Sequence, residues 1–268
     1  MKITKGTRVL ITGGASGIGK IMGRLALEKG AELIIWDINR ENAEKTASEF
    51  SSLGKVATYQ VDISNMEQVT SVAEAVKASQ GTVDLLINNA GIVVGKLFQE
   101  HSLQEITRTL DINSLAPMAI TRHFLPGMLE QKKGHICNIA SSAGLTSNPR
   151  MSVYVASKWA LTGWSDSLRI EMDQQKAGVR VTTVTPYYIS TGMFEGVRSP
   201  LIPILKPEKA ARKIIHGIER NKIFVSMPWS VHFVRLTQGL LPFRVYDWLA
   251  GRVLGIYNAM EHFTGRKS

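Results

Sequence analysis

Tyr154 and Lys158, in the run Tyr-Val-Ala-Ser-Lys, stand four residues apart. The surrounding residues predict a helix over about 152–176, and on a helix that spacing puts a phenol and an ammonium on one face, one turn apart. A neighbouring cation favours phenolate. The pair therefore predicts a tyrosine whose pKa falls from about 10 towards the working pH, as a general acid/base requires. Ser141, 13 residues earlier in Ser-Ser-Ala-Gly after a predicted strand, adds a hydroxyl, and Asn113 adds an amide within a long helical region. Any helix can carry a Tyr and a Lys four apart by chance, and an asparagine in a helix is more often incidental. The phenol–ammonium pair by its spacing points to acid/base chemistry. Cys137 is the only cysteine and neither CxxC nor HExxH spacing occurs, so no intrachain disulfide and no metal site are expected.

A second group of residues is suited to holding a phosphate. Thr12-Gly13-Gly14-Ala15-Ser16-Gly17-Ile18-Gly19 follows a predicted strand and opens a predicted helix. In that context a glycine turn lets the backbone approach a pyrophosphate, which free N–H groups at the helix N-terminus then stabilise. Asp37 lies 18 residues beyond Gly19, at the end of the second predicted strand. A carboxylate there can bond ribose hydroxyls and repel a 2′-phosphate, which favours NAD over NADP. Arg40 nearby keeps a 2′-phosphate conceivable. The plainer readings are a structural β–α connection and an aspartate that caps the next turn.

The elements that must position these groups alternate along the chain. Apolar runs at 8–12, 33–36, 56–61, 83–87, 134–139 and 179–184 read as strands. Helical patterns lie near 17–29, 40–53, 66–79, 103–131 and 152–176. Continuously apolar strands alternating with helices imply the α/β class: a doubly wound, Rossmann-type parallel sheet with its ligand crevice at the carboxyl ends of the strands. After residue 186 the periodicity weakens and prolines recur at 186, 200, 203, 207, 228 and 242. That stretch is expected to add loops and short helices that bind substrate. One domain over 1–268 is expected, with a cofactor-binding and catalytic core at 1–186 and a substrate loop and C-terminal segment at 187–268.

The glycine pattern, Asp62 after the third strand and Asn88-Asn89-Ala90-Gly91 after the fourth resemble the short-chain dehydrogenase/reductase family, as do Asn113, Ser141, Tyr154 and Lys158 in that order. The resemblance runs from residue 8 to about 194. It implies an NAD(P)-dependent oxidoreductase that moves hydride between a nicotinamide cofactor, NAD by the Asp37 argument, and an alcohol or carbonyl. Ser141 would orient the substrate oxygen and Tyr154 would act as acid/base. Lys158 would stabilise the tyrosinate and hold the nicotinamide ribose, and Asn113 would support a water-mediated proton relay. Gly13, Ser16, Gly17, Ile18, Gly19 and Asp37 would hold the cofactor, together with Asp62 at the adenine, Ile63, Asn89, Ala90 and Gly91. Ile189 and Thr191 would hold the carboxamide, although Tyr187 stands where the family has a glycine, a departure expected to alter the backbone beside the nicotinamide. Read without the family, the Asn-Asn-Ala-Gly run is simply a set of turn residues.

Pro186-Tyr-Tyr followed by Thr191-Gly-Met-Phe, and the ending Met260-Glu-His-Phe-Thr-Gly-Arg-Lys, resemble the branch of retinol and membrane-associated hydroxysteroid dehydrogenases. This implies a lipophilic alcohol or ketone, for which the Met, Phe, Trp, Leu and Tyr of about 187–205 and 223–260 would form a pocket or lid. Such residues more often form core. Two rival readings are an NADP-dependent carbonyl reductase of a small polar substrate and a nicotinamide-sensing binding protein. The resemblance also implies a homodimer or homotetramer paired through 103–131 and 152–176.

Charge adds a partner of another kind. Residues 198–268 hold 12 Lys and Arg against 4 Asp and Glu, net +8 of the chain's +10. These are interleaved with Ile223, Phe224, Trp229, Phe233, Leu236, Leu240, Leu241, Phe243, Tyr246, Trp248 and Leu249. The mixture suits peripheral contact with an anionic membrane surface, and core or dimer-interface packing is the plainer alternative. No recognised nucleic-acid motif accompanies the basic segment, so no nucleic-acid partner is expected. Met1–Arg8 lead directly into an apolar strand, and no apolar run approaches the ~18 residues of a spanning helix, so a cytoplasmic setting is expected.

Overall fold

The computed structural model describes residues 1–199 and 202–265. Pro200 and Leu201 of the expected substrate loop, and residues 266–268 at the basic end, lie outside the described residues. The apolar runs form the strands β1 (Arg8–Thr12), β2 (Glu32–Asp37), β3 (Val56–Gln60), β4 (Leu85–Asn88), β5 (Gly134–Ile139), β6 (Val179–Pro186) and β7 (Phe224–Met227). They make one parallel sheet in the order β3-β2-β1-β4-β5-β6-β7. The order reverses between β1 and β4, and the crevice opens beyond the carboxyl ends of these strands, as expected of a doubly wound sheet.

Both faces of the sheet are covered, which is why residues of both parities in each strand are apolar. On one face Val9 and Ile11 pack with residues of α1 (Gly17–Leu27) and α2 (Arg40–Phe50). On the other, Leu10 and Ile34 pack with α3 (Met66–Gln80) and with the long helical region that follows β4. Each fully buried aliphatic side chain of this kind contributes about 1.5–3 kcal/mol. That helical region is α4 (Leu103–Leu110) and α5 (Ala116–Glu130), joined without a break by a π-turn over Asp111–Leu115. The helix α6 (Ser152–Gln174) packs beside them, and Ser114 Oγ donates to the Ser157 carbonyl at 2.9 Å.

Beneath the site, a buried polar network ties the central strands to α6. Asn88 Nδ2 donates to Asn138 Oδ1 at 2.8 Å, Asn138 Nδ2 to Ser165 Oγ at 2.9 Å, and Thr183 Oγ1 to Ser165 Oγ at 2.8 Å. The donors of both amides are paired, and a slip would leave them buried without acceptors, so the network favours one arrangement of its members, although Asn88 Oδ1 itself has no partner.

The structure corrects the expectation for the chain after residue 186. In place of loops and short helices alone, α7 (Pro207–Glu219) and β7 extend the doubly wound pattern by another unit. Pro207 does not break this helix. It occupies the first turn, where its missing N–H would have had no intrahelical partner. Ala211, Ile214, Ile215 and Ile218, at i, i+3, i+4 and i+7, are all buried in the core that α1 shares. Beyond β7 the expectation holds, with the short helices α8 (Val234–Leu240) and α9 (Phe243–Trp248).

Candidate active site

The crevice is a cleft of about 300 Å³ at the carboxyl ends of the strands. Gly13, Ser16, Gly17, Ile18, Asp37, Asp62, Ile63, Asn89, Ala90, Gly91, Ser141, Tyr154, Lys158, Ile189 and Thr191 all line it. Two residues expected at the site stand behind this lining. A Cβ on Gly19 would run into the Gly13 carbonyl oxygen and the Asn89 amide, so Gly19 lets α1 close against the turn without itself facing the cleft. Asn113 is fully buried. Its Nδ2 donates to the Ile92 carbonyl at 2.9 Å and to Ser157 Oγ at 3.0 Å, while its Oδ1 accepts the Ile92 N–H at 2.9 Å. Ser157 Oγ donates in turn to the Tyr154 carbonyl at 2.7 Å, so the π-turn is linked to the tyrosine's backbone. Such turns are frequent at functional sites, where they re-aim one side chain.

The turn after β1 is held by a residue to which the sequence assigned no role. Thr12 Oγ1 accepts the N–H groups of Asn89 at 3.0 Å and Ala90 at 3.1 Å. Asn89 Nδ2 reciprocates to the carbonyls of Thr12 at 2.9 Å and Gly13 at 3.1 Å. The one available signal was position: a hydroxyl on the last residue of a central strand points at the switch point. Asp37 Oδ2 accepts the Ala15 N–H and its Oδ1 the Asn39 N–H, each at 3.0 Å. The capping and ligand readings of Asp37 thus concern one side chain that both holds the turn and faces the cleft. Asp62 similarly accepts from the N–H and hydroxyl of Ser64 at 3.0 and 2.7 Å.

Ser141 leaves β5 in extended conformation, and its Oγ accepts the Ala143 N–H at 3.1 Å. Tyr154 lies in the first turn of α6, 4% exposed, with Lys158 equally buried one turn on. Lys158 Nζ donates to the Ile139 carbonyl at 2.9 Å and lies 5.7 Å from the centre of the Tyr154 ring. The expected lowering of the phenol is not what this geometry produces. Burial pushes Tyr154 up to about 12, with a hydrogen bond to Ser141 pulling the other way. Burial brings Lys158 down to about 8. Desolvation of each charged form outweighs their mutual attraction.

One side of the cleft is aromatic. Phe194 meets the Tyr154 ring edge-on at 6.0 Å and the Tyr188 ring at 5.0 Å, and Tyr188 meets Tyr187 at 4.5 Å. Tyr187, which stands in place of the family's glycine, donates its N–H to the Met227 carbonyl at 2.7 Å, so β7 carries the backbone there. Ile189 and Thr191 still reach the cleft.

A family profile described as short chain dehydrogenase matches residues 7–201. The chain is a short-chain dehydrogenase/reductase. It is therefore an oxidoreductase that moves hydride between NAD(P) and a CH–OH group or its carbonyl. Epidermal retinol dehydrogenase 2 of Mus musculus is 38% identical to this dehydrogenase over 272 residues, covering 99% of this chain and 88% of that one. Estradiol 17-beta-dehydrogenase 11 of Homo sapiens is 37% identical over 262 residues, covering 97% and 87%. Among solved structures, a short-chain dehydrogenase/reductase from Burkholderia phymatum in complex with NAD aligns with TM-score 0.81 at 26% identity. It covers 89% of this chain and 95% of that one.

The cleft of this short-chain dehydrogenase/reductase fits a dinucleotide by its own geometry. Gly17 has φ +54°, so the chain turns into α1 in a conformation that glycine adopts freely. The first turn of α1 carries no acidic residue, and the Ser16 side chain caps none of its N–H groups. N–H groups left free at the positive end of a helix suit an anion such as a pyrophosphate. No helix among the described residues is long and apolar enough to cross a membrane.

Proposed function

We propose that this enzyme interconverts a lipophilic alcohol of retinoid, steroid or long-chain type and its carbonyl, with NAD in preference to NADP. The observation that carries the reading is the joining of the Ser141–Tyr154–Lys158 cluster to Tyr187 and Phe194 in one cleft, with the buried Tyr188 ring packed edge-on against both. An apolar wall with few convergent polar groups suits an apolar substrate carrying one reactive oxygen. The names of the retinol and estradiol dehydrogenases above point the same way.

The bound nicotinamide supplies the hydride acceptor for oxidation and the donor for reduction. Ser141 Oγ and Tyr154 Oη hydrogen-bond the substrate oxygen. In reduction, Tyr154 gives its proton to that oxygen, and burial keeps the phenol in the protonated form this requires. In oxidation, Tyr154 Oη accepts the hydroxyl proton and needs the phenolate, which Lys158 supports as the nearest cation. Asn113 acts through Ser157 and the Ile92 backbone to hold the tyrosine turn, a positioning role. Gly13, Ser16, Gly17 and Ile18 cradle the pyrophosphate, with Gly19 closing the turn behind them. Asp37 binds the ribose, Asp62 and Ile63 the adenine side, and Ile189 and Thr191 the carboxamide, while Asn89, Ala90 and Gly91 form the cleft floor. Arg40, the cation that could meet a 2′-phosphate, is paired with Glu44 at 2.6 Å.

An alcohol panel running from short alcohols to sterols and retinoids, assayed with NAD and NADP by absorbance of the reduced cofactor, tests this reading. Turnover confined to short polar alcohols would overturn it.

Two partner surfaces belong to the same reading. Trp229, Leu236, Leu240, Phe243 and Trp248 are exposed, so they are not core. Arg235, Arg244 and Arg252 are exposed among them. Exposed aromatic and aliphatic groups flanked by arginines suit the headgroup boundary of an anionic membrane. Flotation should require anionic vesicles and weaken with salt; binding to neither anionic nor neutral vesicles would exclude the contact. Leu103, Leu115, Trp159 and Ile170 are exposed on or beside α4 and α6 and suit pairing of two copies, which sedimentation tests.

A further inference from the structure

On the far side of Ser141 from the cleft lies a small recess of about 20 Å³, room for one hydroxyl-sized group. The recess shares Ser141, Tyr187 and Phe194 with the main cleft. Its other walls include Met151, Ile256 and the side chain of Asn148.

Asn148 is more than nine-tenths buried. Its orientation is set from one side only. Tyr188 Oη donates its proton to Met151 Sδ at 3.6 Å, which leaves the phenol oxygen free to accept, and Asn148 Nδ2 donates to it at 3.0 Å. The amide is thereby turned so that Oδ1 points away from Tyr188, and Oδ1 has no hydrogen-bond partner. A buried carbonyl oxygen without a donor is unfavourable wherever folding alone has to satisfy it. Here it belongs to a residue that lines a recess walled in part by Ser141, Tyr187 and Phe194 of the reaction site.

We propose that Asn148 Oδ1 accepts a hydrogen bond from a second hydroxyl on the substrate, making Asn148 a specificity-determining residue for diol-type lipophilic alcohols. This rests on the reading of the cleft as a site for lipophilic alcohols. Ser141 and Tyr154 hold the reacting oxygen, and the apolar wall takes the hydrocarbon. The second hydroxyl supplies the one donor that the pocket lacks. A site built to hydrogen-bond a substrate hydroxyl discriminates strongly against the analogue without it, because the site's own buried group is then left unpaired.

The test uses one hydrocarbon framework in three forms: dodecanediols with the second hydroxyl at successive carbons, the matching hydroxydodecanones, and dodecanol. For the wild type, kcat/KM for the best diol should exceed that for dodecanol and for the matching hydroxyketone by about tenfold or more. In Asn148→Leu and Asn148→Ala the diol-to-dodecanol ratio should fall to about one. Each ratio is taken within one preparation, so any inactive fraction cancels, and the wild-type ratio can overturn the proposal even if a variant fails to fold. Equal kcat/KM for all three forms in the wild type would overturn the role of Asn148 while leaving the lipophilic-alcohol reading standing. Preference for the hydroxyketone would mean that a donor, not Oδ1, faces the recess, and would also overturn it. Where the alcohol panel gives only a retinoid or sterol as substrate, the same three forms on that framework decide the proposal, and turnover confined to short polar alcohols would overturn both.

Discussion

The Lys158 ammonium lies 5.7 Å from the centre of the Tyr154 ring while its hydrogen bond runs to the Ile139 carbonyl at 2.9 Å. Both groups are buried, and burial moves them in opposite directions, the phenol up to about 12 and the ammonium down to about 8. The site thus holds a neutral acid beside a cation that loses its proton little above neutrality. Catalytic pairs are often tuned by environments of this kind.

Lys158 gives a stability signature. The unfolded chain keeps this proton up to about pH 10 and the folded chain releases it from about pH 8. The folded state therefore binds fewer protons between those values, and the lysine's contribution to stability rises with pH across that window. Relative to Lys158→Met, the wild type should gain on the order of 3 kcal/mol between about pH 7 and pH 10. Comparison with the variant cancels the opposite contribution of buried Cys137, whose thiol is pushed up. Urea unfolding of both proteins measures this; a pH-independent difference would mean that Lys158 is not desolvated.

Asp37 should set cofactor choice. Asp37→Asn keeps an acceptor for the Ala15 or Asn39 N–H but removes the charge that repels a 2′-phosphate. The ratio of kcat/KM for NAD over NADP should fall by about tenfold or more, within what a close charge contact supplies. An unchanged ratio would place discrimination elsewhere in the cleft.

Gly19→Ala brings a Cβ against the Gly13 carbonyl oxygen, which is backbone and cannot swing away. The turn must open to relieve this. Cofactor affinity should drop about tenfold or more, and the melting temperature should fall. Fluorescence titration with the reduced cofactor reads the first effect and calorimetry the second.

Trp229 and Phe243, 71% and 85% exposed, can be changed to Ser without opening a cavity. The double variant should lose flotation with anionic vesicles and keep its melting temperature within about 2 °C, since exposed positions alter stability little. A fall in melting temperature of several degrees would show that these rings pack in solution.

Much of this was legible in the sequence because it is written in periodicity and order. The runs at 8–12 and 33–36 are apolar at both parities, which states that both faces of the sheet are covered. The cleft residues lie where β–α turns must place them. Three features were hidden for physical reasons. The Ala211–Ile218 stripe was masked by Pro207, a breaker everywhere except in a first turn. The Thr12 hydroxyl acts on Asn89 across 77 residues, a contact that only the strand order creates. The direction of the Tyr154 shift depends on how completely α6 and Phe194 remove water from the phenol, and an i, i+4 spacing carries no information about that.

The central claim is that Tyr154 Oη carries the proton that accompanies hydride transfer, and Tyr154→Phe removes that oxygen while keeping the ring that packs on Phe194. Turnover of a lipophilic alcohol, followed by absorbance of the reduced cofactor, should fall by about 10²–10⁴-fold, with the cofactor Kd within about threefold of the wild type. Retention of more than about a tenth of the wild-type kcat would contradict the account.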